Sequence, residues 1–306
     1  MTETLQTLSG AVAAIRTVGF VGLGNVGGPA AVNLLTGGLE VIGFDLKPSA
    51  EFEAAGGRMA GTLADIAACD VIVQSLPNPA ALTATIDGLI DHLRPGQVII
   101  ELSSYPLQAK ATQAARVASF GAVMLDCELS GLSFQIANRS AVIFKAGDAA
   151  AVDACAPVFD AIADKHFYLG AFGAATKMKL IANVMVCVHD LMAAEALNLG
   201  RSAGLDPAQM VEVLKHSAAG STTFTNKAPL MLSREFASGR GPFNHMFGYL
   251  DRATELAEQV GATAATPLLH RVRETFAVAR GQDRHGQDIA AIIEVLEGLQ
   301  AEGAAQ

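Results

Sequence analysis

A short run of β-branched and aromatic residues, Thr17 to Val21, runs directly into Gly22-Leu23-Gly24-Asn25-Val26-Gly27, and a helical stretch to about Leu35 follows. Few local features restrict a fold so tightly. In a chain with 30 glycines the spacing G-x-G-x-x-G alone is weak, but between a strand and a helix it is specific. Gly22 permits the tight turn, Gly24 leaves room for a pyrophosphate, and Gly27 lets the helix lie close on the strand. Amides and the dipole at the helix start then favour phosphate. A second strand, Glu40 to Phe44, closes on Asp45. A carboxylate at that point can bind the ribose hydroxyls of an adenosine and repels a 2′-phosphate, so the expected cofactor is NAD, with NADP second. Lys47 offsets part of that charge, and Asp45 can also be read as a solvated turn residue.

Further strands are expected at Val71 to Leu76, Val98 to Leu102, Ala122 to Leu125 and Ala141 to Lys145, with helical patterns between them. Strand–helix alternation predicts an α/β class: a doubly wound parallel sheet of Rossmann type. After Gly173 the pattern changes. Residues 174–200 read as one helix of about 40 Å at 1.5 Å per residue, and everything beyond reads as helical. The expected organisation is therefore a dinucleotide-binding domain over residues 1–172, with 1–16 as an extension, and an all-α domain over 173–306 joined by the long helix.

Composition removes several function classes. Hydrophobic residues make up 51 % of the 306, enough for a large core. A net charge of −9 argues against nucleic acid as a partner. The four cysteines form no C-x-x-C pair and read as buried free thiols, which fits a reducing, cytoplasmic location. No metal-ligand spacing occurs among the seven histidines, so no metal is expected. Apolar stretches are broken by charge or glycine short of a membrane span, so no membrane partner is expected either.

Two places carry polar groups of catalytic type. Lys179 and Asn183 are one helical turn apart and share a face. An amine and an amide so placed can hold a hydroxyl, and the helix start favours the neutral amine that a general base requires. On spacing alone the pair reads first as a solvated lysine and a surface asparagine. Ser130-Gly131 follows the fifth expected strand and reads either as an ordinary turn or as a grip for a carboxylate. Glu128, just before it, reads first as a surface carboxylate and second as a group that lines the pocket.

Taken in order, these segments resemble the β-hydroxyacid dehydrogenase family, which includes the 3-hydroxyisobutyrate dehydrogenases. Gly19 to Gly27 looks like its cofactor loop, and Leu76-Pro77-Asn78 like its cofactor-contacting turn. Asp126 to Gly131 is similar to its substrate segment, usually D-A-P-V-S-G-G. Lys179 to Asn183 with Ala194-Glu195-Ala196-Leu197 is similar to its catalytic helix. The resemblance implies reversible NAD(P)-linked oxidation of a small 3-hydroxy acid, or reduction of the corresponding aldehyde or keto acid. Lys179 would be the general base, and Asn183 would orient the substrate. Ser130, Gly131 and Leu132 would contact its carboxylate end. Gly22, Leu23, Gly24, Asn25, Val26, Gly27, Asp45, Leu76, Pro77, Asn78 and Ser104 would hold the cofactor. It also implies a homodimer or homotetramer.

Departures from the family pattern are specific. Leu132 replaces the second glycine of the substrate segment, and Glu128 puts a carboxylate where the family is apolar. The lysine expected near residues 248–251 is missing from Gly248-Tyr249-Leu250-Asp251, which leaves Arg139 and Tyr249 as candidate substrate contacts. Alternative readings are an imine or ketone reductase on the same fold, and a cofactor-binding module without turnover.

Overall fold

A computed structural model describes residues 15–237 and 241–304. Most of the expected N-terminal extension and the last two residues lie outside them. The chain divides into two compact units, Met1–Lys179 and Leu180–Gln306.

In the first unit the strands are β1 (Thr17–Val21), β2 (Glu40–Phe44), β3 (Arg58–Met59), β4 (Val71–Gln74), β5 (Val98–Glu101), β6 (Val123–Ser130), β7 (Val142–Ala146) and β8 (Lys165–Tyr168). Between them run α1 (Gly27–Thr36), α2 (Ala50–Ala54), α3 (Leu63–Ala67), α4 (Pro79–Leu89), α5 (Leu107–Ser119), α6 (Ser133–Ala137), α7 (Ala149–Ala154) and α8 (Ala156–Ile162). The strands form one sheet in the order β3-β2-β1-β4-β5-β6-β7-β8. Pairing is parallel throughout except between β6 and β7. This is the doubly wound arrangement expected, extended by three features that the sequence pattern did not disclose: the short β3, the edge strand β8 and the antiparallel step to β7.

Parallel strands buried on both faces need apolar residues at successive positions. In β1, Val18 and Phe20 enter one core cluster, and Val21 enters another. β4 and β5 divide in the same way: Val71, Val73, Val98 and Ile100 against Ile72 and Ile99. Strand order reverses between β1 and β4, both of which grow outward from the centre. The carboxyl ends of strands at such a reversal leave a crevice for ligands.

The long helix α9 (Ala174–Ser202) begins in the first unit and continues into the second. The second unit adds α10 (Pro207–Leu214), α11 (Thr222–Ser233), α12 (Phe243–Gln259), α13 (Pro267–Gly281) and α14 (Ile292–Ala304), with no strand among its described residues. By length and composition α9 could cross a membrane. Its Leu180, Cys187, Leu191, Ala194 and Leu197 are instead part of the second unit's core, with Phe243, Phe276 and Ile293. All four cysteines are buried and free.

Candidate active site

The loop between β1 and α1 is shaped by close approaches of backbone. A Cβ on Gly22 would stand 2.1 Å from the Ser75 carbonyl oxygen, and one on Gly27 would stand 1.9 Å from the Gly22 carbonyl oxygen. Gly22 also has φ +89°, which favours glycine. Gly24 differs: a Cβ there would meet nothing within 4 Å. Its bareness serves no packing need within the protein, which is the property required where a phosphate must reach the backbone. No acidic side chain occupies the first turn of α1, so its N-terminus remains favourable to an anion.

A cavity of about 600 Å³ opens at the crevice between β1 and β4. Gly22, Gly24, Asn25, Val26 and Gly27 line it, together with Asp45, Leu76 and Pro77. Asp45 is held in place by backbone donors: Leu23 N at 2.7 Å to Oδ2 and Lys47 N at 3.0 Å to Oδ1. Leu23 is therefore an orienting residue, itself buried. Asn78 does not line the cavity; its Oδ1 accepts Ala81 N at 2.8 Å and caps α4. The Leu76 turn is tied to the segment after β5 by its amide, which donates to Ser103 Oγ at 2.7 Å. The glycine loop, the β2 carboxylate and the apolar walls fit a dinucleotide of the NAD(P) class.

The second cluster lies at the carboxyl ends of β5 and β6. Side chains on a strand alternate between faces, so Asp126, Glu128 and Ser130 share one face of β6. β6 is longer than expected, and Ser130 is its last residue, not part of a following turn. Gly131 sits against Ala141, where a Cβ would come within 2.8 Å of the alanine Cβ. Leu132 N donates to Gln135 Oε1 at 2.9 Å. Asp126 caps the start of α9: Oδ2 accepts Gly173 N at 3.1 Å and Thr176 N at 3.0 Å, and Oδ1 accepts Thr176 Oγ1 at 2.7 Å. This cap fixes where α9 begins and hence where Lys179 projects.

Lys179 Nζ donates to the Leu129 carbonyl oxygen at 2.7 Å, one residue before Ser130. Burial holds this amine below the usual lysine range, and the Glu128 carboxylate pulls it partly back. Glu128 corrects the sequence reading: it is 1 % exposed and no surface group. Burial raises its carboxyl above the usual range. Its Oε1 accepts Lys110 Nζ at 3.0 Å, and its Oε2 accepts a short hydrogen bond from Ser104 Oγ. Lys110 is fully buried, and also donates to Asp126 Oδ1 at 3.0 Å. Sequence reasoning did not single out Lys110, Ser103 or Thr176; no local spacing marks them, because each meets its partner only across the fold.

Asn183 lies one turn beyond Lys179 on α9, in the second unit, buried and with its Nδ2 unpartnered among the described residues. Near residue 248 no lysine appears: Leu250 is buried in the second unit's core, and Tyr249 stacks with Arg252 at 4.8 Å. Arg139 is committed to Asp164 at 2.8 Å and to the Asp160 carbonyl at 2.7 Å.

Comparison with known proteins gives two family models that together run along most of the chain. Residues 17–170 match the NAD binding domain of 6-phosphogluconate dehydrogenase. Residues 173–296 match the NAD-binding region of NADP-dependent 3-hydroxyisobutyrate dehydrogenase. L-threonate dehydrogenase of Cupriavidus necator is 29 % identical, over 95 % of this chain and 99 % of its own. NAD-dependent L-serine dehydrogenase of Pseudomonas aeruginosa is 32 % identical, over 68 % of this chain and 72 % of its own. A crystal structure of 3-hydroxyisobutyrate dehydrogenase from Salmonella typhimurium superposes with a TM-score of 0.81 at 26 % identity, covering 92 % of this chain and 99 % of that one.

Proposed function

This chain belongs to the β-hydroxyacid dehydrogenase family, and from that premise we propose that it passes a hydride between NAD and the hydroxyl-bearing carbon of a small 3-hydroxy acid, with Lys179 as general base. The observation that carries the proposal is the desolvated Lys179 amine, seated on the Leu129 carbonyl beside Ser130. A lysine whose pKa is lowered by burial is neutral at a lower pH than a surface lysine, and so can accept a hydroxyl proton. Retention of this lysine favours the dehydrogenase over an imine reductase or an inert module.

When bound, the nicotinamide accepts the hydride. Ser130 and the Gly131 amide grip the substrate carboxylate, with Leu132 beside them, and Asn183 orients the hydroxyl. Ser104, anchored on Glu128, would meet the nicotinamide ribose. Gly24 and the α1 amides hold the pyrophosphate, and Leu76, Pro77 and Asn78 form the opposite turn. Asp45, already fixed by two backbone donors, receives the ribose hydroxyls and disfavours a 2′-phosphate, which supports NAD over NADP. Threonate and serine, named for two relatives, are small hydroxy acids of the size expected. We infer a homodimer or homotetramer in the cytoplasm; the exposed Met185, Met192 and Leu199 of α9 support the assembly.

The test is NAD reduction at 340 nm against a panel of 3-hydroxy acids, with NADP in parallel and Lys179→Ala as control. Turnover with NAD should fall by about 10²–10⁴ in Lys179→Ala while NAD binding persists. Full activity in the variant would remove Lys179 from the chemistry.

A further inference from the structure

Glu128 stands where the family's substrate segment is apolar, yet it is among the best-held side chains of the first unit. One oxygen is bound by Lys110 from α5, with Thr176 Oγ1 of α9 at 3.5 Å. The other is bound by Ser104. The next residue's carbonyl receives Lys179. A buried carboxylate is thus fixed from two sides and set one residue from the seat of the amine that exchanges the substrate proton.

We propose that Glu128 is a positioning residue that sets, by its charge, the pH at which Lys179 gives up and regains its proton. The inference rests on the reading of Lys179 as general base. In oxidation the substrate O–H bond breaks and its proton goes to the Lys179 nitrogen. The C–H bond yields a hydride to oxidised nicotinamide, and the C–O bond becomes C=O. The amine gains a positive charge in this step, and a fixed carboxylate nearby stabilises that charge in a site with little water. Reduction runs in reverse and starts from the ammonium. Glu128 therefore keeps Lys179 protonated to higher pH and extends the range over which reduction proceeds.

Of the carboxylates in this cluster, Glu128 is the one whose charge acts on the Lys179 amine. Asp126 is spent on Lys110, Thr176 and the amide of Gly173. Glu101 of β5, one of whose oxygens accepts Ser103 N at 2.6 Å, is raised to about 7 by burial and ionises only above it. Tyr105 is pushed far above its usual range by burial and stays neutral. Lys110 stays charged among three carboxyls.

The experiment is a pH profile of kcat/KM for oxidation and for reduction, in wild type, Glu128→Gln, Glu128→Asp and Lys179→Met. The limb assigned to Lys179 should move down by about 1 pH unit in Glu128→Gln in both directions. Glu128→Asp should restore most of it. A purely structural role would lower the rate without moving the limb, and a limb at the wild-type pH overturns the proposal. If Glu128→Gln fails to fold with Lys110 unpaired, the double variant Glu128→Gln/Lys110→Met removes both charges and should show a shift of the same direction. Collapse of both neutral variants beside a folded Glu128→Asp would assign Glu128 to folding alone and also overturn it. Lys179→Met separates the two readings. An active Lys179→Met defeats the general-base reading itself, whereas an inactive one beside an unmoved Glu128→Gln limb defeats only this inference.

Discussion

At the scale of single residues, the two glycines that look alike in the loop are under different constraints. Gly27 is required by packing, since a methyl group there would overlap the Gly22 carbonyl. Gly24 has open space and no positive φ. Gly24→Ala should therefore leave the melting temperature unchanged and weaken NADH binding about tenfold or more, because its Cβ enters the path of the pyrophosphate. Gly27→Ala should lose about 1–3 kcal/mol of stability through overpacking as well as binding. Thermal melts and a fluorescence titration with NADH distinguish the two; equal melting losses would contradict the assignment. The loop was legible in the sequence because its chemistry is local, with every constraint lying within a few residues or on the neighbouring strand. Glu128 was not. Its cation, Lys110, is 18 residues earlier on another element, and nothing in the order of residues shows that β6 extends far enough to carry it inside.

At the scale of elements, the central strands and α9 were readable because long apolar runs and a long stretch free of turn residues have few alternatives. The misses share a cause. β3 has two residues, Arg58 and Met59, and β8 reads Lys-His-Phe-Tyr with little burial; each is a strand through pairing with a neighbour, not by its own pattern. The start of α9 was read at the right residue, 174, but the group that holds it there, Asp126, lies 47 residues before Gly173 in the chain. One feature of α9 carries a further expectation. Met185, Met192 and Leu199 lie seven residues apart and are 54 %, 55 % and 73 % exposed. Seven residues make almost two turns, so they form one apolar stripe along the helix, the kind of face that a second copy covers in a homo-oligomer. If the proposed homo-oligomer uses this face, Met185→Lys/Met192→Lys should lower the sedimenting mass to that of a monomer while the helical circular dichroism is retained. A wild type that already sediments as a monomer, or an oligomer unmoved by the pair, removes the stripe from any assembly.

At the scale of the whole first unit, the ends of β4, β5 and β6 place Gln74, Glu101, Asp126 and Glu128 on one face of the sheet, all buried. Three of the four are acids, and Lys110 is the fully buried cation that binds Asp126 and Glu128. Burying more acids than cations costs stability once all are ionised, and the cost appears first at Glu101. Its carboxyl is raised from 4.5 to about 7, chiefly by burial, and its Oε2 has no partner among the described residues. The sign follows from proton binding. Between pH 4.5 and about 7 the unfolded chain has released this proton while the folded chain retains it. The folded state then binds more protons, so stability falls as pH rises through that window and is level above it. The Glu101 contribution to this fall is at most about 3 kcal/mol. Glu101→Gln keeps the shape and one donor–acceptor set but cannot ionise. It should therefore raise the melting temperature relative to wild type by several degrees at pH 8 and by little or nothing at pH 5. Melting curves of both proteins across that range check it, and an equal change at both pH values would show that Glu101 does not titrate within the fold.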